Sequence, residues 1–208
     1  MSLTKQQLLL SALTNYQYTK VSNFTDLPIP PQPFTQPTKS SLPPDLHTSL
    51  SRQNRVIKPI LGDGNCFFCA LSDIFYSSQE HHAKVRREIV DYITLNATKF
   101  APLLFQETIG QHITSMKTSG KWATQVEIQA ATKVYCAPIY LYTLTPSKKS
   151  YHWLQYTPRH ASEPTITRHI ELAHPLCVHF EVILDATTHK PSLTPPKLTG
   201  KSVHLEIS

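Results

Sequence analysis

The sequence predicts an α/β (α+β) fold, a central β-sheet flanked by helices with a nucleophile at a helix N-terminus. Three observations carry this. Apolar residues recur at helical spacing from Cys66 to about residue 134, whereas after Pro138 they run or alternate as in strands. Gly62-Asp63-Gly64-Asn65-Cys66-Phe67-Phe68-Cys69-Ala70 sets a cysteine between a turn-forming run and a helical run. Val178-His179-Phe180-Glu181-Val182-Ile183-Leu184 alternates late in the chain and carries a histidine and a carboxylate.

Taken in order, residues 2–13 can form a short helix, with Thr4 as cap and Gln7 three residues on. Residues 28–44 hold seven of the seventeen prolines, which fix φ and remove donors, so this stretch reads as an extended linker. The reading is an N-terminal extension over 1–52, a catalytic domain over 53–186 and a Thr/Pro/Lys-containing tail over 187–208. Helices are expected from Cys66 to Phe75, from His81 to Asn96 and from Pro102 to Met116. A further helix starts at Thr124, with Glu127 at capping-box spacing. Pro138–Tyr142, Tyr151–Tyr156, Thr165–Leu172 and Val178–Leu184 read as strands, and Val203–Ile207 can add an edge strand.

Composition excludes several classes. No apolar run approaches the roughly 18 residues of a membrane span, and no signal peptide is expected, which points to a cytoplasmic or nuclear protein. Cys66, Cys69, Cys136 and Cys177 are too few for a disulfide scaffold in a chain of 208 residues. The net charge of +6 is scattered, with only pairs such as Arg86-Arg87 and Lys148-Lys149, so nucleic acid is not the main partner. Arg86 and Arg87 read as a solvated helix face. No metal and no cofactor are expected: Cys66 and Cys69 form a Cys-x-x-Cys, but Cys136 and Cys177 each stand alone, without a near partner for a zinc site.

Cys66 opens a helix, where unpaired amides and the helix dipole favour a thiolate and the same amides can hold an oxyanion. A nucleophilic thiol needs a base. In a strand, Val178, Phe180, Val182 and Leu184 share one face and His179, Glu181 and Ile183 the other, so Glu181 can orient the His179 imidazole. His174 is the nearby rival base, but no carboxylate lies two residues after it.

Asp63-Gly64-Asn65-Cys66-Phe67-Phe68, then Gln79 to Arg86, then Gly120-Lys121-Trp122-Ala123, then His179-Phe180-Glu181 occur in that order. Together they resemble the ovarian tumour (OTU) family of cysteine proteases, most of them deubiquitinases, over about Ile57 to Leu184. The resemblance implies a papain-like fold, Cys66 as nucleophile, His179 as general base, and Asp63 in the loop whose amides form the oxyanion hole. It implies Trp122 beside the active site, with Gly64 and Asn65 as further substrate-contacting positions. Two residues depart from the family pattern: Glu181 where Asp or Asn is usual, and Cys69 where Arg is more frequent. The implied activity is thiol-dependent hydrolysis after the C-terminal glycine of ubiquitin, on ubiquitin or polyubiquitin chains, by a monomer. The alternatives are a catalytically weak module binding ubiquitin or a ubiquitin-like modifier, and a viral or mobile-element protease that processes a polyprotein.

Overall fold

The structure, a computed structural model, describes residues 44–144, 150–158, 168–175 and 178–198. The expected helix over 2–13, most of the Pro-rich segment, Cys177 and the strand over 203–207 lie outside the described residues. Along the chain come α1 (Pro44–Ser51), β1 (Arg55–Lys58), α2 (Cys66–Tyr76), α3 (His82–Leu95), α4 (Ala97–Phe100), α5 (Ile109–Met116) and α6 (Gln125–Val134). Then follow β2 (Ile139–Leu144), β3 (Tyr151–Tyr156), β4 (Ile170–His174) and β5 (Glu181–Asp185).

The five strands form one sheet in the order β1-β5-β4-β2-β3. Only β2 and β4 pair in parallel; the other neighbours are antiparallel. Register divides the side chains between two faces. Lys58, Leu172 and Val182 share the face that meets α2, where Phe67 packs edge-on against Phe180 and Lys58 pairs with Asp73. Tyr142, Trp153, Ala173 and Ile183 share the other face, and Leu46 and Leu50 of α1 close over them.

Both faces are therefore covered, and this alters the reading of β5. Its alternation promised one buried row, yet Ile183 is as buried as Val182, because α1 lies over the second face. Leu46 and Leu50, four residues apart, form one stripe on α1. Leu198 packs against the same cluster, and the Thr194 carbonyl accepts from Arg55, so packing crosses the expected boundaries at 53 and 186.

The helices follow local chemistry closely. Thr124 and Glu127 close a reciprocal capping box at the start of α6. The helix expected over Pro102–Met116 is instead a short 3-10 turn (Ala101–Leu103) and a separate α5, because Thr108 and Gln111 form a second capping box that restarts the chain. Helix α6 is buried over Gln125 to Thr132, lodged against α3 and β3.

Candidate active site

Cys66 is the first residue of α2 and is buried, 6 % exposed. Burial pushes its thiol above the usual range, and the N–H groups of Phe180 and Phe67 pull in the opposite direction without overcoming it. The helix N-terminus thus offers the amides that the sequence promised, but burial works against the thiolate that they favour. Cys69 is buried one turn on, and burial together with the charge of Asp63 pushes its thiol up to about 12.

The Phe180 amide beside the Cys66 sulfur brings the start of the β5 segment to the helix that Cys66 opens. His179 Nε2 lies 3.1 Å from the carbonyl oxygen of Ile60. A carbonyl only accepts, so Nε2 carries the proton and Nδ1 keeps the lone pair. Burial lowers the His179 pKa, while the Ile60 carbonyl and the charge of Asp63 oppose that shift. A neutral imidazole with a free Nδ1 is the form that can accept a proton.

Glu181 is not joined to His179 by any hydrogen bond among the described residues. Register pairs Glu181 with Ala173, on the sheet face that α1 covers and away from the α2 side. Its Oε2 is buried without a partner among the described residues, and burial raises its carboxyl pKa to about 7. His174, the rival base, ends β4, stacks on Phe180 at 4.0 Å, and is held to about 3 by burial and the neighbouring His179.

The loop before Cys66 is held from behind. Asp63 accepts from the Asn65 backbone N–H at 2.9 Å and from Asn65 Nδ2 at 3.0 Å. Burial would raise its carboxyl, but these bonds outweigh it and hold Asp63 below the ordinary range. Asn65 Oδ1 accepts from Arg86 at 2.7 Å, from the Gly120 N–H at 2.8 Å and from Ser119 at 3.3 Å. Asn65 is 4 % exposed, so its side chain faces inward, away from the substrate-contacting role expected of it. Gly64 adopts φ +81°, and a Cβ there would come within 2.2 Å of the Gly120 carbonyl oxygen. That leaves backbone as the only surface Gly64 can offer a substrate. Trp122 is half exposed, and Leu61 and Val178, which precede the Cys66 and His179 segments in sequence, are also exposed.

Arg86 is the residue the sequence misjudged. It is buried rather than solvated, whereas Arg87 is exposed as expected. His112, which no motif in the sequence marks, bridges Glu107 at 2.8 Å and Glu127 at 2.7 Å and so ties α5 to the first turn of α6. Among the described residues, no group of three or more His, Cys, Asp or Glu is arranged to hold a metal ion.

Comparison with known proteins gives this arrangement a lineage. "OVARIAN TUMOR DOMAIN-containing deubiquitinating enzyme 9" of Arabidopsis thaliana is 33 % identical over 87 residues, 40 % of this chain and 24 % of the plant enzyme. "OTU domain-containing protein 1" of Homo sapiens is 31 % identical over 94 residues, 45 % of this chain and 19 % of the human protein. The match thus spans about a quarter of the plant enzyme's length and about a fifth of the human protein's. The solved OTUD1 OTU domain aligns with TM-score 0.59 and 24 % identity, covering 67 % of this chain and 91 % of that domain. An OTU deubiquitinase from Wolbachia pipientis wMel, solved bound to ubiquitin, aligns with TM-score 0.52 and 15 % identity over 64 % of this chain and 98 % of that one. The family model of the OTU-like cysteine proteases matches residues 61–180, from the loop before Cys66 to the residue after His179. Since that match takes in more than half of its length, the chain belongs to the family of OTU-like cysteine proteases.

Proposed function

We propose that the chain is a thiol-dependent deubiquitinase that hydrolyses the bond after the C-terminal glycine of ubiquitin. The observation that carries this reading is the Ile60 carbonyl on His179 Nε2, which leaves Nδ1 as a free base in a segment whose Phe180 amide meets the Cys66 sulfur. Family membership and the resemblance to a ubiquitin-bound deubiquitinase from Wolbachia supply the substrate class.

His179 Nδ1 takes the Cys66 proton as the sulfur attacks the glycine carbonyl, so the thiolate is needed only at the moment of attack. Amides of the Asp63–Cys66 loop hold the oxyanion of the tetrahedral intermediate. The imidazolium then gives its proton to the departing lysine amine, and a water assisted by His179 releases ubiquitin from the acyl-enzyme. The Ile60 carbonyl, not Glu181, orients the imidazole, and the negative Asp63 steadies its charged form. Leu61, Trp122 and Val178 supply exposed apolar area beside these segments for an extended tail without large side chains near its end.

The test is a ubiquitin probe bearing a C-terminal thiol-reactive group, offered to wild type and to Cys66→Ala, His179→Ala and Cys69→Ala. An adduct that requires Cys66 and His179 but tolerates loss of Cys69 is the expected outcome. Absence of any adduct with folded wild type would instead favour a binding module with a spent site.

A further inference from the structure

We propose that Arg86 is the positioning residue of this site: its guanidinium locks the Asp63–Cys66 loop to the Ser119–Trp122 loop. The inference rests on Cys66 being the nucleophile, as proposed above. Arg86 lies on α3, away from the reacting atoms, and is 4 % exposed. Its Nη2 donates to Asn65 Oδ1 at 2.7 Å and to the Lys121 carbonyl at 2.8 Å, and its Nη1 donates to the Met116 carbonyl at 3.2 Å. The guanidinium carbon lies over the Phe68 ring of α2, 3.9 Å from its centre. One side chain therefore touches the nucleophile helix, the loop before it, the end of α5 and the loop that carries Trp122.

The geometry suits only a fork. Two acceptors on separate loops lie within bonding distance of one nitrogen, and a third acceptor faces the neighbouring nitrogen. A lysine ammonium is a single point at the end of a flexible stem and cannot also stack on Phe68. Through Asn65, the lock extends further: the same Oδ1 accepts from Gly120, and Gly64 meets Gly120 backbone to backbone. Loop amides stabilise an oxyanion only when they are already aimed at it before reaction, so a lock of this kind acts on the transition state more than on substrate binding.

The experiment compares wild type with Arg86→Lys, Asn65→Ala and the double variant on ubiquitin carrying a fluorogenic C-terminal amide. For Arg86→Lys, kcat should fall about 10- to 100-fold while KM stays within about threefold. Alkylation of Cys66 by iodoacetamide forms no oxyanion, and its rate should stay within about twofold of wild type. If Arg86 acts through Asn65, the double variant should be no slower than the worse single variant. Equal losses in kcat and alkylation, an unchanged kcat, or additive losses would each overturn the proposal.

Amide hydrogen exchange of wild type provides an arm that needs neither a folded variant nor turnover. The Gly120 N–H lies in an exposed loop and should be protected by Asn65 Oδ1. Exchange at the rate of an open loop would sink the lock. Wild type with a protected Gly120 but no turnover would count against the deubiquitinase reading and leave the lock standing.

Discussion

At the scale of single residues, Glu181 and Arg86 exchange the roles that their chemistry suggests. A carboxylate two residues after a histidine invites an orienting role, but the strand puts Glu181 on the sheet face that α1 covers. A carboxyl pKa of about 7 set by burial makes it a neutral acid below that pH and an unpartnered buried charge above it. Glu181→Gln should therefore leave kcat within about threefold of wild type. Its folded pKa is raised from 4.5, so Glu181 weakens the protein as pH rises from 4.5 through about 7, and the variant loses that decline. Above pH 7 the variant should gain on the order of 1–3 kcal/mol in urea unfolding, relative to wild type. A large fall in kcat with folding intact would restore the carboxylate to the mechanism.

The burial of Arg86, which its charge argues against, has a signal in the spacing of α3 instead. With Val90 and Ile93, Arg86 forms a stripe at i, i+4 and i+7, beside the stripe of Val85 and Ile89, and all five are buried. An arginine on an apolar stripe has to find acceptors in the interior. What no pattern of spacing could give is the identity of those acceptors, because Asn65, Met116 and Lys121 come from three other segments. Backbone partners are equally silent: the Ile60 carbonyl that orients His179 is a group every residue has.

At the scale of elements, turn and cap chemistry was the most readable part. The start of α2 after Asp63-Gly64-Asn65 and the capping box of Thr124 and Glu127 follow from local hydrogen bonding, which neighbours in sequence can satisfy by themselves. Helix α1 was not readable, because it begins within a proline-rich run and lasts eight residues. Its stability comes from packing, since helices this short are marginal alone. Leu46 and Leu50 are 0 % and 1 % exposed against the sheet. Leu50→Ala should cost about 2–5 kcal/mol in equilibrium urea unfolding, against under about 0.5 kcal/mol for the exposed His47→Ala. Two equally mild effects would mean that α1 does not belong to the core.

At the scale of the whole molecule, pH acts on stability through two buried histidines of opposite sense. Burial lowers the His112 pKa, but Glu127 and Glu107 outweigh it and raise it to about 9. A histidine raised from 6.5 adds stability that is complete below pH 6.5 and lost as pH climbs through about 9. His174 works in the opposite sense: held neutral to about 3, it adds stability that is complete above pH 6.5 and lost as pH falls toward 3. Thermal unfolding should therefore show Tm declining between pH 6.5 and 9.5 in wild type. His112→Gln should flatten that slope and lower stability at pH 6 by a few kcal/mol, roughly the cost of stranding the buried Glu127 carboxylate. An unchanged alkaline slope in the variant would place its origin elsewhere.

The sequence by itself determined the fold class, the helix that opens at Cys66, the Thr124–Glu127 capping box and the family. These depend on periodicity and on contacts between near neighbours, which a linear pattern records. The tertiary structure alone decided that burial opposes the Cys66 thiolate, that the second face of the sheet is covered, that a main-chain carbonyl holds His179 and that Arg86 ties two loops together. Each of these is set by desolvation or by partners distant in sequence. Such quantities exist only once the chain has excluded water and brought its segments together.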